Sequence, residues 1–183
     1  MLTTLSKAKT MMGLDPEDDS QDIELLELIA VASTMIEEAC RRQFKLQTHS
    51  SRITGLPGKY IRLPNYPIQS ISSISGAGAT LSGVEILDFG ILFRECGWPC
   101  GDRAISVTYS AGYVLPDEAT EQSPRTLPET LEFACIMLMK HLQREPGVQT
   151  ERLGDASVTY AAGESDMPGA VKALIGPHIR PDM

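Results

Sequence analysis

A chain of 183 residues with 42% apolar residues is long enough to bury a substantial core, and its composition is that of an ordinary globular domain. Its formal charge of −8 argues against a surface that grips nucleic acid through many phosphate contacts, although a wall past which DNA moves is compatible with it. No apolar run approaches the roughly 20 residues of a membrane span, and the opening MLTTLSKAKTMMG lacks a leader's long apolar stretch and cleavage site, so a soluble, cytoplasmic protein is expected.

The first helical periodicity covers residues 4–12, where Leu5, Ala8, Met11 and Met12 share a face and Gly13 can take the left-handed closing conformation. Pro16 blocks immediate continuation. Residues 15–22, DPEDDSQD, bring carboxylates to the start of the next helix, where the helix dipole favours them. A calcium loop would need a central glycine that this run lacks, so a solvated cap is expected. A long helix follows over residues 21–43. Leu25, Leu28, Ile29, Ala32, Met35, Ile36, Ala39 and Cys40 form its apolar stripe, with Glu24, Glu27, Glu37, Glu38 and Arg41 on the other side.

Between residues 44 and 113 the pattern shifts to short period-two segments punctuated by Gly and Pro. They predict a small antiparallel sheet of about five to seven strands, with a hairpin turn at Asp88–Gly90 between VEIL and ILF. After a loop rich in acids and prolines, a third helix is predicted over 127–144, with Thr126 and Glu129 at capping-box spacing and Pro128 in the first turn. Leu127, Leu131, Ala134, Cys135, Leu138 and Leu142 make its core stripe. Phe133, Ile136, Met137 and Met139 fall largely outside it. A helix apolar most of the way round is buried on more than one side, and in a chain this small the second side is expected to meet another subunit.

Residues 146–183 form a polar stretch with a GDASVTY strand and a short helix over 168–175, started by Pro168 and stopped by Gly176-Pro177. Such a composition has little to bury by itself, so this extended segment is expected to dock on a neighbour, offering Val171, Leu174 and Ile175 as a small apolar face. The expected organisation is thus α+β: a helical bundle with a small antiparallel sheet region in residues 1–145, and the extended segment after it.

The motifs that carry chemistry are absent: there is no nucleophile elbow, phosphate loop or His-Glu-x-x-His. Cys96 and Cys100 have CxxxC spacing with no helix following to lower a thiol pKa, so reduced structural thiols are expected, with Cys40 and Cys135 inert in the core. His49, His141 and His178 show no ligand spacing, and Gly76-Ala-Gly78 reads as a flexible turn rather than a phosphate site. No catalytic, cofactor-binding or metal-ligating residue is assigned.

The order of elements then carries a resemblance. A short helix (SKAKTMMGLDPEDDSQD) precedes the long helix IELLELIAVASTMIEEACRRQF. The strand set IRLPNYPIQSISSIS, the strand ISVTYSAGYVLP, the helix LPETLEFACIMLMKHL and the tail TERLGDASVTYA follow, with a last Pro-started helix. This resembles the head–tail connector (adaptor) proteins of long-tailed bacteriophages, most specifically in Tyr109-Ser-Ala-Gly-Tyr113 and in Glu151–Tyr160. The resemblance implies a virion protein without enzymatic activity, assembled in the host cytoplasm into a closed ring of about twelve copies in the neck. Its implied partners are further copies of itself, the portal on one side and a stopper or tail-completion protein on the other. DNA would pass through the lumen without specific binding, and no membrane would be involved. Residues 76–101 read as an elaboration of the family's core. Another neck ring, such as a tail terminator or stopper, is the alternative within that setting; a small acidic ligand-binding domain is the alternative outside it. The charge predicts an acidic or neutral lumen, with Lys45, Arg52, Lys59 and Arg62 as a basic cluster for protein contacts or the outer rim.

Overall fold

The computed structural model describes residues 1–76, 78, 80–143, 150–153, 156–159 and 167–181. The chain forms two compact units: residues 1–41 with 127–183, which hold the helices, and residues 42–126, which hold most of the strands. The α+β class read from the sequence is borne out.

In the first unit, α1 (Leu5–Met12) starts at Thr4, whose hydroxyl accepts from the Lys7 amide, and closes at Gly13 in the left-handed region, φ 75°. Its buried side is Ala8 and Lys9, with Met11 left exposed, so the expected apolar face is rotated by about one residue. Helix α2 (Asp22–Cys40) buries Leu25, Ile29, Ala32, Ile36 and Cys40. It ends before the expected residue 43: Arg41 adopts a left-handed conformation and its N–H donates to the Glu37 and Glu38 carbonyls. The next residue, Arg42, belongs to the sheet unit, where its guanidinium lies 3.7 Å from the Tyr66 ring centroid and 4.7 Å from that of Phe44. One of its Nη groups donates to the Tyr66 carbonyl at 2.9 Å. Two π faces and a carbonyl offset part of the desolvation of this cation, whose Nε and other Nη are buried without a hydrogen-bond partner among the described residues.

Helix α3 (Glu129–Leu142) packs against α1, α2 and α4 (Gly169–Ile175). The predicted capping box is not formed. Pro128 is the N-cap, and the Thr126 hydroxyl instead accepts from the Val114 amide at 2.9 Å. Thr126 is thereby used to close a loop of the sheet unit, with its own N–H on the Val114 carbonyl.

The sheet unit holds two three-stranded antiparallel sheets rather than one. In the first, β6 (Gly101–Ala111) lies between β1 (Gln47–Gly55) and β3 (Ile68–Ser75); in the second, β5 (Ile91–Arg94) lies between β2 (Tyr60–Arg62) and β4 (Val84–Ile86). The expected hairpin joins β4 to β5, through a single 3₁₀ turn at Asp88–Gly90. Strand β3 departs from period two: Ile68, Ile71 and Ile74 recur every third residue. Register shifts between Ile68 and Ser70 and between Ile71 and Ser73 each absorb one residue, which sets the three isoleucines opposite Ala111, Tyr109 and Val107. Those side chains join Ile61, Leu63, Leu92, Trp98 and Ile105 in one core that both sheets share.

Residues 150–159 hold a second strand that the polar composition hid. β7 (Thr150–Leu153) pairs antiparallel with β8 (Ala156–Thr159), from Thr150 opposite Thr159 to Leu153 opposite Ala156. The expected domain boundary at 146 lies outside the described residues.

Candidate interaction surfaces

Several of the residues singled out as possible chemistry lie in segments with structural work. Trp98, at the centre of the CxxxC segment, is 4% exposed; its indole N–H donates to the Lys59 carbonyl at 3.0 Å and its amide to the Gly58 carbonyl at 2.9 Å. Cys-Gly-Trp-Pro-Cys is therefore a tryptophan anchor for the sheet core, and its two cysteines are exposed free thiols. Cys40 and Cys135 are buried, and desolvation pushes the Cys135 thiol up to about 11. Gly76 and Gly78 both have positive φ at a turn after β3. A side chain on Gly76 would lie 2.0 Å from the Ala104 carbonyl oxygen. In the Tyr109–Tyr113 phrase, Gly112 has φ 118° and sits where a Cβ would come within 2.4 Å of the Lys45 carbonyl oxygen. That phrase marks a close backbone approach, as glycine alone permits.

The acidic run 15–22 turns around a cation from the chain itself. Lys9 is 4% exposed, and its ammonium donates to the Asp18 carbonyl at 2.8 Å and the Pro16 carbonyl at 3.3 Å while pairing with Asp22 at 2.5 Å. Asp15 and Asp18 accept from the amides two residues on, which makes the run a pair of side-chain-stabilised turns. The hydrogen bonds from Ser20 hold the exposed Asp18 carboxyl below its usual pKa. A lysine thus fills the place that a bound ion would need. His141 lies half-buried in the last turn of α3, and His178 meets the Thr130 hydroxyl at 3.0 Å.

The basic residues expected as one cluster fall on different elements, and two of them have acidic partners. Lys45 pairs with Glu118 and Lys59 with Glu95, while Arg52 lies on β1 of the first sheet and Arg62 on β2 of the second. The Lys45 pKa is raised, first by its hydrogen bond to Glu118 and next by that carboxylate's charge.

The surplus apolar surface lies elsewhere than expected. On α3, Ile136 and Met139 are buried inside the helical unit, at 2% and 0% exposure, and only Phe133 is fully on the surface. The helix is buried on more than one side, as read, but the second side is taken by its own chain. The same holds for α4: Val171 and Ile175 are buried at 0% and 1% exposure, so the face expected to meet a neighbour is already covered. Helix α2, read as one-sided, instead carries a second apolar strip: Ile23 is 78% exposed and Val31 51%, with exposed Leu26 and Ala30 at helical spacing between them. In the sheet unit Leu56, Tyr60, Ile86, Leu87 and Phe89 are exposed around the small second sheet. Phe89 is held outward with φ 56°, a conformation bulky residues rarely adopt, while its ring edge meets Tyr66. Each unit thus leaves several large apolar side chains exposed.

Among the described residues no group of three or more His, Cys, Asp or Glu side chains could hold a metal ion, and no helix is long and apolar enough to cross a membrane. The sequence profile of the head completion protein family matches residues 1–180. No curated protein matches the chain. Solved structures that share its fold include the following three. One, from the virion of a native gene transfer agent particle, is 16% identical with a TM-score of 0.62, over 100% of this chain and 91% of the other. The neck of the empty particle, computed with C6 symmetry, holds a chain 14% identical at a TM-score of 0.60, again over 100% and 91%. The neck of the native particle, computed with C12 symmetry, holds one 15% identical at 0.58, over 100% and 93%.

Proposed function

We propose that this chain, which belongs to the head completion protein family, is a structural ring protein of the neck that joins the DNA-filled head of a tailed phage or phage-like particle to its tail. In this reading it works as an adaptor, between the portal and a stopper or tail-completion protein, and DNA passes through the ring. Twelve copies agree with the C12 symmetry of the neck whose chain shares this fold. The protein binds and positions and catalyses no reaction. The observation that carries the proposal is the pair of exposed apolar surfaces, on α2 and around the second sheet, in a chain whose acidic run and CxxxC segment are engaged in structure among the described residues. Covering such surfaces is the ordinary driving force for a closed ring, and two distinct patches on one subunit suit head-to-tail contacts.

The division of labour within the chain belongs to the same proposal. Residues 1–145 form the ring body, and the segment from 146 carries a docking arm that includes the β7–β8 hairpin. Helix α4 is part of the body, because its apolar face lies against α3.

The test is removal of the gene from a producing strain. Heads and tails that accumulate unjoined, and that join when the purified protein is added back, are the expected outcome. Joined, DNA-filled particles made without it would overturn the neck assignment. Imaging the particles that contain it separates the adaptor from a tail terminator, which would sit at the tail's end of the neck.

A further inference from the structure

The outer face of the first sheet is a field of hydroxyl groups. The register stacks three rows across it: Thr48, Ser110 and Ser70; Ser50, Thr108 and Ser73; Arg52, Ser106 and Ser75. Residues opposed in register share a face, and β6 alternates so that Ile105, Val107, Tyr109 and Ala111 point into the core and the hydroxyls away from it. The flanking-strand members, Thr48, Ser50, Ser70, Ser73, Ser75 and Arg52, are exposed, and those of the central strand are half-buried between them. Among the described residues none of these hydroxyls, nor the Arg52 guanidinium, has a hydrogen-bond or ionic partner within the chain. The two bulges in β3 make this possible, because without them the Ser-rich strand would turn alternate residues inward.

The charge pattern says what such a face suits. The chain carries 24 acidic residues, yet none of the nine positions holds one, and the single charge there is Arg52. We infer that this face is the wall along which duplex DNA passes, touching its phosphates through hydroxyls; the inference rests on the neck reading above. Serine and threonine hydroxyls donate to phosphate oxygens without reading sequence. Being neutral, they displace few counterions, so each contact forms and breaks without the salt-dependent hold of a lysine-lined surface. Strands about 4.8 Å apart and rows about 6.7 Å apart make a patch of about 10 by 13 Å. At about 3.4 Å of helix axis per phosphate on one strand, that length spans about four phosphates. On this inference Arg52 lies on the wall, where the sequence alone suggested protein contacts or the outer rim.

The experiment places a photoreactive side chain at Ser50 or at Ser73 in the protein of assembled particles, with Ile23 as the control position. Irradiation of DNA-filled particles should give protein–DNA adducts from both sheet positions, lost in particles emptied beforehand, and none from Ile23. Adducts from Ser50 and Ser73 to another protein, with no DNA adduct in filled particles, would overturn the inference and leave the neck reading standing. Absence of the chain from purified particles would overturn both.

Discussion

Arg42→Ala would remove the cation stacked on Tyr66 and Phe44 together with the donor to the Tyr66 carbonyl. A loss of roughly 2–4 kcal/mol in urea unfolding is expected for such a buried, multiply engaged side chain. Arg42→Met keeps most of the stem and should lose less; equal losses from the two variants would mean that the charge itself holds the site. The cysteines divide just as clearly. Cys96 and Cys100 should react with a thiol reagent in the native protein, and Cys40 and Cys135 only after unfolding, because the second pair is buried. Burial raises the Cys135 pKa from 9.0 to about 11, which favours the neutral thiol in the fold. Below the unfolded value both states hold that proton and the term is constant. As pH rises from 9 towards 11 only the unfolded chain ionises it, so stability falls there. Cys135→Ala should flatten that part of the stability-versus-pH curve, as measured against the parent by chemical denaturation. Lys9 teaches the complementary lesson. The acidic run after α1 invites a metal reading, and the residue that answers it lies six positions upstream of Asp15 on α1, visible only once the chain turns back on itself.

At the scale of elements, α3 is the centre of the helical unit. Leu138→Ala should cost roughly 2–5 kcal/mol as a core cavity. Met139→Glu should unfold the unit as readily, because Met139 is fully buried. Ile23→Glu and Val31→Glu on the exposed strip of α2 should leave the thermal midpoint within a few degrees of the parent while reducing incorporation into particles. Circular dichroism melts and quantification of the protein in purified particles separate the two classes. If the α2 variants incorporated at parental levels, that strip would not be a subunit contact. Removing residues 168–183 should destabilise the body rather than merely prevent docking. Val171 and Ile175 leave the core together, each worth about 1.5–3 kcal/mol of burial. The main-chain bond from Arg180 to the Cys40 carbonyl at the end of α2 is lost as well.

For the whole molecule the governing quantity is charge. At −8 per chain, a ring of twelve would carry about −96, felt over roughly a Debye length of 8–10 Å. The isolated protein should therefore bind duplex DNA no tighter than micromolar at about 50 mM salt. Sub-micromolar affinity that falls steeply with added salt would contradict both the proposed neutral wall and the weak hold that the proposed conduit needs.

The one-dimensional pattern determined what depends on local spacing. The apolar stripes of α2 and α3, the closing role of Gly13 and the Asp88–Gly90 hairpin are all written in short windows, because period and turn chemistry act over a few residues. The order of those elements was enough to carry a resemblance to head–tail connector proteins, and the chain belongs to the head completion protein family. The tertiary structure decided whatever depends on which surface meets which. It used the second face of α3 for α4 and α1, and it drew Arg42 out of the helix onto two aromatic rings. Through two bulges it turned a period-three strand into a one-faced one, and so gathered serines scattered over three strands onto a single surface. Apolar residues are alike in sequence whether a neighbouring helix, another subunit or water faces them, and only the packed chain assigns the neighbour.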